Sequence, residues 1–294
     1  MSAINNQLLT GLLRGLGQFP LPVLHALGAS LSVLFGLLPN RRLRRARINL
    51  RLCFPELSHA ERGRLTRQSM RHLGRTMLET PRLWFGPHSR VRRLFREVRG
   101  TEHLQAALAE GRGVILLAPH LSWEAAVLCA GLHAPTTFLY SPQKLIIESL
   151  MCAGRGRFGT RLVQAIPGQV RAQLQGRLDA GEAVLILPDQ DPPPGRGIFA
   201  PFFGVPAHTP TLAARLANTT QARVLLMQVQ RLRWSRGFQV SFLPAPADIA
   251  HPDPERAAAA VNAAMEQCIR PFVGQYMWNV RRFVRRPPGQ PMVY

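Results

Sequence analysis

The chain has 294 residues, 46% of them hydrophobic, so it can bury a full core as one large domain or two modest ones and is not a disordered protein. With 37 basic and 16 acidic residues its formal charge is +21, nearly all from arginine since Lys144 is the only lysine, and such a surface wants phospholipid headgroups, an acidic carrier protein or nucleic acid. Cys53, Cys129, Cys152 and Cys268 form no CxxC or Cys/His spacing, which argues for free thiols and against a metal module.

The first element is an uncharged apolar block over 17–38, long enough to cross a bilayer, since about 20 apolar residues suffice. Arg41, Arg42, Arg44, Arg45 and Arg47 follow it, the pattern that holds a flank on the cytoplasmic side. Arg14 interrupts the earlier apolar turns and no small-residue cleavage site follows, so a cleavable signal peptide is not expected. Pro20, Pro22, Gly28 and Gly36 oppose one straight helix, and a helix lying in the interface is the competing form. Ser58-His59-Ala60-Glu61 reads as a capping box opening a long helix, with Leu65, Met70, Leu73, Met77 and Leu78 at helical spacing before Pro81. From residue 98 short strands and helices alternate. Strands are predicted at 114–118, 136–140, 184–187, 223–229 and 238–243, and helices at 123–132, 170–180, 211–218 and 252–269. This predicts an α/β fold, a mostly buried sheet flanked by helices, with an N-terminal hydrophobic membrane-anchoring helix.

Two strands end alike. Leu116-Leu117-Ala118 gives way to Pro119-His120, and Leu185-Ile186-Leu187 to Pro188-Asp189-Gln190-Asp191. Ligands of open α/β sheets bind outside the carboxyl ends of the strands, so both clusters are candidates for one site. His120 precedes Glu124 by four positions. If the following helix reaches back to His120, the two side chains lie about 40° apart on one face, and a neutral imidazole oriented by a carboxylate is a general base near neutral pH. The plainer readings are a surface carboxylate at a helix start for Glu124, and turn or cap residues for Asp189 and Asp191. No Gly-x-Ser-x-Gly elbow and no phosphate-binding glycine loop is present. Aromatic residues are not interleaved with the arginines as a stacking platform, which counts against nucleic acid.

Over almost its whole length the chain resembles the late (secondary) lipid A acyltransferases, the lauroyl/myristoyl transferases of Gram-negative bacteria. The resemblance rests on the N-terminal apolar block with its basic flank, Asn49-Leu50 through Cys53-Phe54-Pro55-Glu56-Leu57, the strand-His-Trp-Glu element, and Gly154-Arg155-Gly156-Arg157. It continues through Leu187-Pro188-Asp189-Gln190-Asp191, Phe199-Ala200-Pro201-Phe202-Phe203-Gly204 with Thr209, and the tail Gln275-Tyr276-Met277-Trp278-Asn279-Val280-Arg281-Arg282-Phe283, all in family order. It implies a membrane anchor over 1–47 and an acyltransferase domain over 48–294. The implied reaction moves a fatty acyl chain from acyl carrier protein to a hydroxyl of a lipid A precursor, on the cytoplasmic side of the inner membrane and without cofactor or metal. The implied partners are acyl carrier protein, the lipid A precursor and anionic membrane lipids.

In this reading His120 is the base and Glu124 its partner. Arg155, Arg157 and Asp189 are expected to bind substrate or the oxyanion, and Trp123 and Phe203 to line the acyl pocket, with Phe202, Tyr276 and Trp278 as further candidates. Three departures stand out. The family separates its His and acid by four residues, here only by Leu121, Ser122 and Trp123. Ser141 replaces an arginine, for which Lys144 offers a substitute charge, and Gly274 replaces an acidic residue. A helix extended back to His120 would restore the dyad, and that is the arrangement expected; a His120 on the preceding loop would break it. The alternatives are the same chemistry on an ornithine lipid, lysophospholipid or glycolipid, or a non-catalytic basic protein binding membranes or anionic ligands.

Overall fold

A computed structural model describes residues 3–142, 145–166 and 168–294; Lys144 lies outside them. In chain order the helices are α1 (Ala3–Leu16), α2 (Leu21–Gly36), α3 (Arg41–Cys53), α4 (His59–Phe85), α5 (His88–Arg92), α6 (Thr101–Ala109), α7 (Trp123–His133), α8 (Leu145–Gly156), α9 (Val170–Asp179), α10 (Leu212–Thr220) and α11 (Pro254–Ile269). The strands are β1 (Phe95–Arg99), β2 (Val114–Leu117), β3 (Thr136–Tyr140), β4 (Arg161–Gln164), β5 (Ala183–Ile186), β6 (Gly197–Phe202), β7 (Val205–Pro210), β8 (Arg223–Arg231) and β9 (Phe238–Pro244).

The α/β expectation holds. Seven strands form one sheet in the order β1-β9-β8-β2-β5-β3-β4, parallel at every pairing except β8 with β9. β2 and β5 are buried at every residue, as their unbroken Val/Ile/Leu/Ala runs require of strands covered on both faces. They are direct neighbours, with Leu117 opposite Ile186, so the two polar clusters beyond their carboxyl ends meet by construction. β6 and β7 form a separate hairpin whose turn, Phe203-Gly204, has both φ angles positive (49° and 75°), the geometry that matches strand twist.

The Ser58 capping box is present: Ser58 Oγ accepts from the Glu61 amide and Glu61 accepts from the Ser58 amide. The helix it opens runs through Pro81 to Phe85 rather than ending before the proline. An interior proline costs about 3 kcal/mol. Burial of Leu83, and of Arg82 with its guanidinium donating to the Gly17 carbonyl at 2.8 Å, offsets that cost.

The N-terminal block does not form one helix. It breaks at 17–20, where Pro20 caps a new helix, and the chain bends by 116° between α1 and α2; no single helix among the described residues is long and apolar enough to cross a membrane, and only the bent pair together has that length and composition. Instead α2 packs along α4, with Gly28 and Gly74 so close that a Cβ on either would strike the other's carbonyl oxygen. That contact buries Leu21, Leu24 and His25 and leaves Leu8, Leu12, Val23, Leu27, Leu34 and Leu37 exposed on the outer side of the two helices.

Beneath α2 lies a buried ionic cluster. Glu79 of α4 accepts from both Arg231 nitrogens, Nε at 2.8 Å and Nη2 at 2.5 Å, and pairs with His25 Nε2 at 2.7 Å. Burial alone would raise the Glu79 carboxyl, but Arg231 outweighs it and holds the group at about 2 against an ordinary 4.5. A carboxylate depressed in this way stabilises the fold fully above its unfolded value and loses that contribution as pH falls from about 4.5 toward 2, worth roughly 3 kcal/mol. Glu79→Gln leaves the Arg231 guanidinium buried without its counter-charge, so it is expected to cost about 3–5 kcal/mol. A calorimetric scan showing no fall in the thermal midpoint would refute this.

Candidate active site

β2 delivers the chain to Ala118-Pro119, and His120 sits on the loop beyond, where Pro119 and Leu121 form a tight turn (Leu121 amide to Pro119 carbonyl, 2.7 Å). β5 delivers Leu187-Pro188-Asp189 alongside it. The Asp189 carboxylate, fully buried, accepts from the His120 backbone amide at 2.7 Å and from its Nδ1 at 2.6 Å. Burial would raise the Asp189 carboxyl, but the attraction of the adjoining His120 ring and these two hydrogen bonds overcome it and hold the group below the usual carboxylate range. A carboxylate only accepts, so Nδ1 carries the proton and Nε2 presents a lone pair. The Gln190 amide nitrogen, 2.9 Å from Nε2, donates to it. The His120 carbonyl accepts from the Met277 amide at 3.1 Å, so the C-terminal segment backs the loop. That segment is clamped in turn: Asn49 Nδ2 donates to the Trp278 and Val280 carbonyls, both at 2.7 Å, and Ser69 Oγ to the Tyr276 carbonyl at 2.7 Å.

The expected pairing of His120 with Glu124 is not what the structure contains. α7 begins at Trp123, after His120, so the two residues do not share a helical face and no hydrogen bond joins them. Five residues, 118–122, separate the end of β2 from the first helical residue, and they leave His120 in the loop. Glu124 is buried, and four donors fill its two oxygens. Trp84 Nε1 and Trp123 Nε1 each donate at 2.9 Å, Arg155 Nε donates at 3.0 Å, and Arg155 Nη2 completes a two-pronged pair. The Trp123 ring stands between this cluster and His120, its centroid 5.7 Å from that of the imidazole.

His120, Trp123, Glu124 and Arg155 line one cavity of about 710 Å³ with Gln190 and Asp191. That volume lies in the range of small-molecule and lipid sites. Its walls are otherwise largely apolar, with Met77, Phe138 and Met151 on one side and Ala165, Val170 and Ile186 on the other. The cavity therefore straddles the carboxyl edge of the sheet at β2, β5 and β3, and His120 lines it. Asp189, expected to bind substrate or the oxyanion, is instead fully buried behind His120 and outside the cavity wall, so its carboxylate meets the imidazole. Asp191 is tied to His208 Nδ1 at 3.1 Å and Arg285 Nη1 at 2.6 Å, which braces the loop rather than leaving a free turn residue.

Two further expectations need correction. Arg157 does not face the cavity: it donates to the Leu83 and Gly86 carbonyls at 2.9 and 2.6 Å and so closes the end of α4. Phe203 does not line it either. Together with Phe202, Tyr276 and Trp278 it belongs to a buried aromatic cluster around Phe54, because the β6–β7 turn folds inward and there is apolar surface to cover. Of the aromatic candidates, Trp123 lines the cavity. Two further residues escaped the sequence reading. Gln190 lay inside a cluster already singled out at a strand end. Trp84 had no signal, being one apolar position on a long helix 40 residues before its Glu124 partner.

Residues 3–285 match the protein family described as "Bacterial lipid A biosynthesis acyltransferase". The chain is 34% identical over 283 residues to the lipid A biosynthesis lauroyltransferase of Escherichia coli (strain K12), covering 94% of this chain and 90% of that protein. It is 33% identical over 280 residues to the lipid A biosynthesis palmitoleoyltransferase of the same strain, with the same coverage. It is 30% identical over 278 residues to a lipid A biosynthesis acyltransferase of Haemophilus influenzae, covering 91% and 86%.

Proposed function

The chain belongs to the bacterial lipid A biosynthesis acyltransferases, and we propose that it moves a fatty acyl chain from acyl carrier protein to a hydroxyl of a lipid A precursor, with His120 as the base and Asp189 as its orienting partner. The observation that carries this reading is the His120 imidazole itself: Nδ1–H is held by a buried carboxylate, and the unprotonated Nε2, accepting from Gln190, is at the wall of a large, mostly apolar cavity. The acceptor hydroxyl displaces the Gln190 amide from Nε2 and gives up its proton there as its oxygen attacks the thioester carbonyl. The oxyanion that forms needs fixed donors. No side chain caps the first turn of α7, so its leading amides are available to the oxyanion, and the Arg155 guanidinium stands in the same cavity. Collapse expels the carrier's thiolate, which recovers the proton from the imidazolium. The exchange is redox-neutral and needs no cofactor. Glu124 holds Arg155 in place rather than orienting His120. Arg155 is thus the substrate-facing member of the two arginines first considered.

The outward apolar rows of α1 and α2, with the exposed Arg41, Arg42, Arg44 and Arg47 beside them on α3, support attachment to an anionic membrane surface, the cytoplasmic face of the inner membrane. Residues 1–47 serve attachment and 48–294 catalysis. The test is transfer of labelled acyl chains from acyl carrier protein to a lipid A precursor by the purified protein. Transfer only to lysophospholipid or ornithine lipid would move the reading to another acceptor, and no transfer to any would sink it. The cavity also sets chain length in this reading. Ala165→Phe, which fills part of the wall away from His120, is expected to shift preference toward shorter donors. One methylene is worth about 1–3 kcal/mol, so the shift should be graded. Competition between donors of different length checks it; unchanged ratios would place the acyl chain elsewhere.

A further inference from the structure

The loop between β8 and β9 carries a feature that acyl transfer does not use. Trp234 is 83% exposed, whereas the chain's other tryptophans line the cavity or lie in the core. It also sits in left-handed backbone (φ 60°), as does the next residue, Ser235 (φ 56°), a conformation that non-glycine residues adopt only where the surroundings impose it. Here they do. The Leu232 amide donates to the Gly237 carbonyl at 2.9 Å and Arg96 Nε to the Arg236 carbonyl at 2.9 Å, while Ser235 Oγ meets His25 Nδ1 of α2 at 2.9 Å. Through His25 the loop is joined to the buried Glu79–Arg231 pair, so the projecting indole stands on a rigid support. Its neighbours across a shallow cleft are Pro22 and Ala26, both exposed. The next row of the same helix is Val23 and Leu27, also exposed. The indole therefore extends the outward apolar face of α2 sideways onto the body of the fold, and the exposed Arg233 and Arg236 flank it.

We propose that Trp234 is a second, sheet-borne membrane anchor, inserting at the headgroup level of an anionic bilayer beside α2 while Arg233 and Arg236 meet lipid phosphates. It rests on the proposed membrane attachment. An indole is suited to that depth because its ring is apolar and its N–H polar, and flanking guanidiniums favour anionic headgroups. Two anchoring points on separate elements fix the tilt of the fold, whereas α1 and α2 alone leave it free to pivot. The rigid loop spends little conformational entropy on insertion.

The test uses the full chain and vesicles of phosphatidylethanolamine with phosphatidylglycerol. The difference in emission between the wild type and Trp234→Phe isolates the Trp234 signal. It should shift to the blue on vesicles and be quenched by lipids brominated on the acyl chain. Trp234→Ala should weaken vesicle binding roughly tenfold with an unchanged thermal midpoint. If the wild type floats with vesicles but the Trp234 signal is unquenched, or Trp234→Ala binds as tightly, this inference fails and membrane attachment through α1 and α2 stands. If the wild type does not bind vesicles, both fail. If Trp234→Ala alters self-association in sedimentation instead of vesicle binding, the indole covers a second copy of the chain and the inference is again wrong.

Discussion

His120→Ala is expected to reduce acyl transfer by about 10²–10⁴-fold, the ordinary worth of a positioned base, with little change in thermal midpoint. Asp189→Asn should cost nearly as much. The asparagine retains an acceptor for the His120 backbone amide, but its NH₂ faces Nδ1, which then has to accept; the ring proton moves to Nε2 and the base disappears. The two residues act as one unit, so the double variant should be little worse than either single one. Steady-state transfer rates of the three variants check this. Full activity in Asp189→Asn would return Asp189 to a structural role, and independent, multiplying losses would mean that each acts on a different step.

Glu124→Ala should be the more damaging change to the protein as a whole. It removes the carboxylate from a buried pair and leaves the Arg155 guanidinium, and the Trp84 and Trp123 indole N–H groups, without their acceptor. A broken buried pair costs about 3–5 kcal/mol, so a clear drop in thermal midpoint is expected along with the loss of transfer. Arg155→Lys separates the two effects. It retains the charge but not the two-pronged geometry, so stability should fall less than in Glu124→Ala while transfer still falls. A Glu124→Ala protein as stable as the wild type would mean that the arginine is solvated there and contributes no fixed charge to the cavity. If Arg155→Lys transfers at the normal rate, Arg155 does not serve the oxyanion.

The pairing of base and acid shows where one-dimensional reasoning fails. His120 and Glu124 are close in sequence, and a helical extrapolation joins them; the chain instead turns through a five-residue loop, 118–122, before the helix starts, and each side chain turns to a distant partner. His120 finds Asp189, 69 residues away, because β2 and β5 are adjacent. Glu124 finds Arg155, 31 residues away, because α8 crosses the same edge. Arg157 and Phe203 fail for a related reason. Their residue types fit substrate binding equally well as capping and core packing, and only the neighbouring backbone carbonyls and rings decide between these uses.

What the amino-acid sequence determined by itself was local or repetitive: the Ser58 capping box, the buried strands that become β2 and β5, the alternation that makes an α/β sheet, and the two polar strand ends. Each follows from hydrogen-bonding groups within a few residues or from the period of apolar side chains, both of which can be read along a line. Only the tertiary structure decided that the apolar block over 17–38 breaks and lies against α4, that α4 continues through Pro81, and that Asp189 rather than Glu124 holds His120. Those outcomes depend on close approach between segments far apart in the chain: Gly28 on Gly74, Arg82 on Gly17, one strand end beside another. Packing of that kind outweighs local preference by a few kcal/mol and leaves no periodic trace in the sequence.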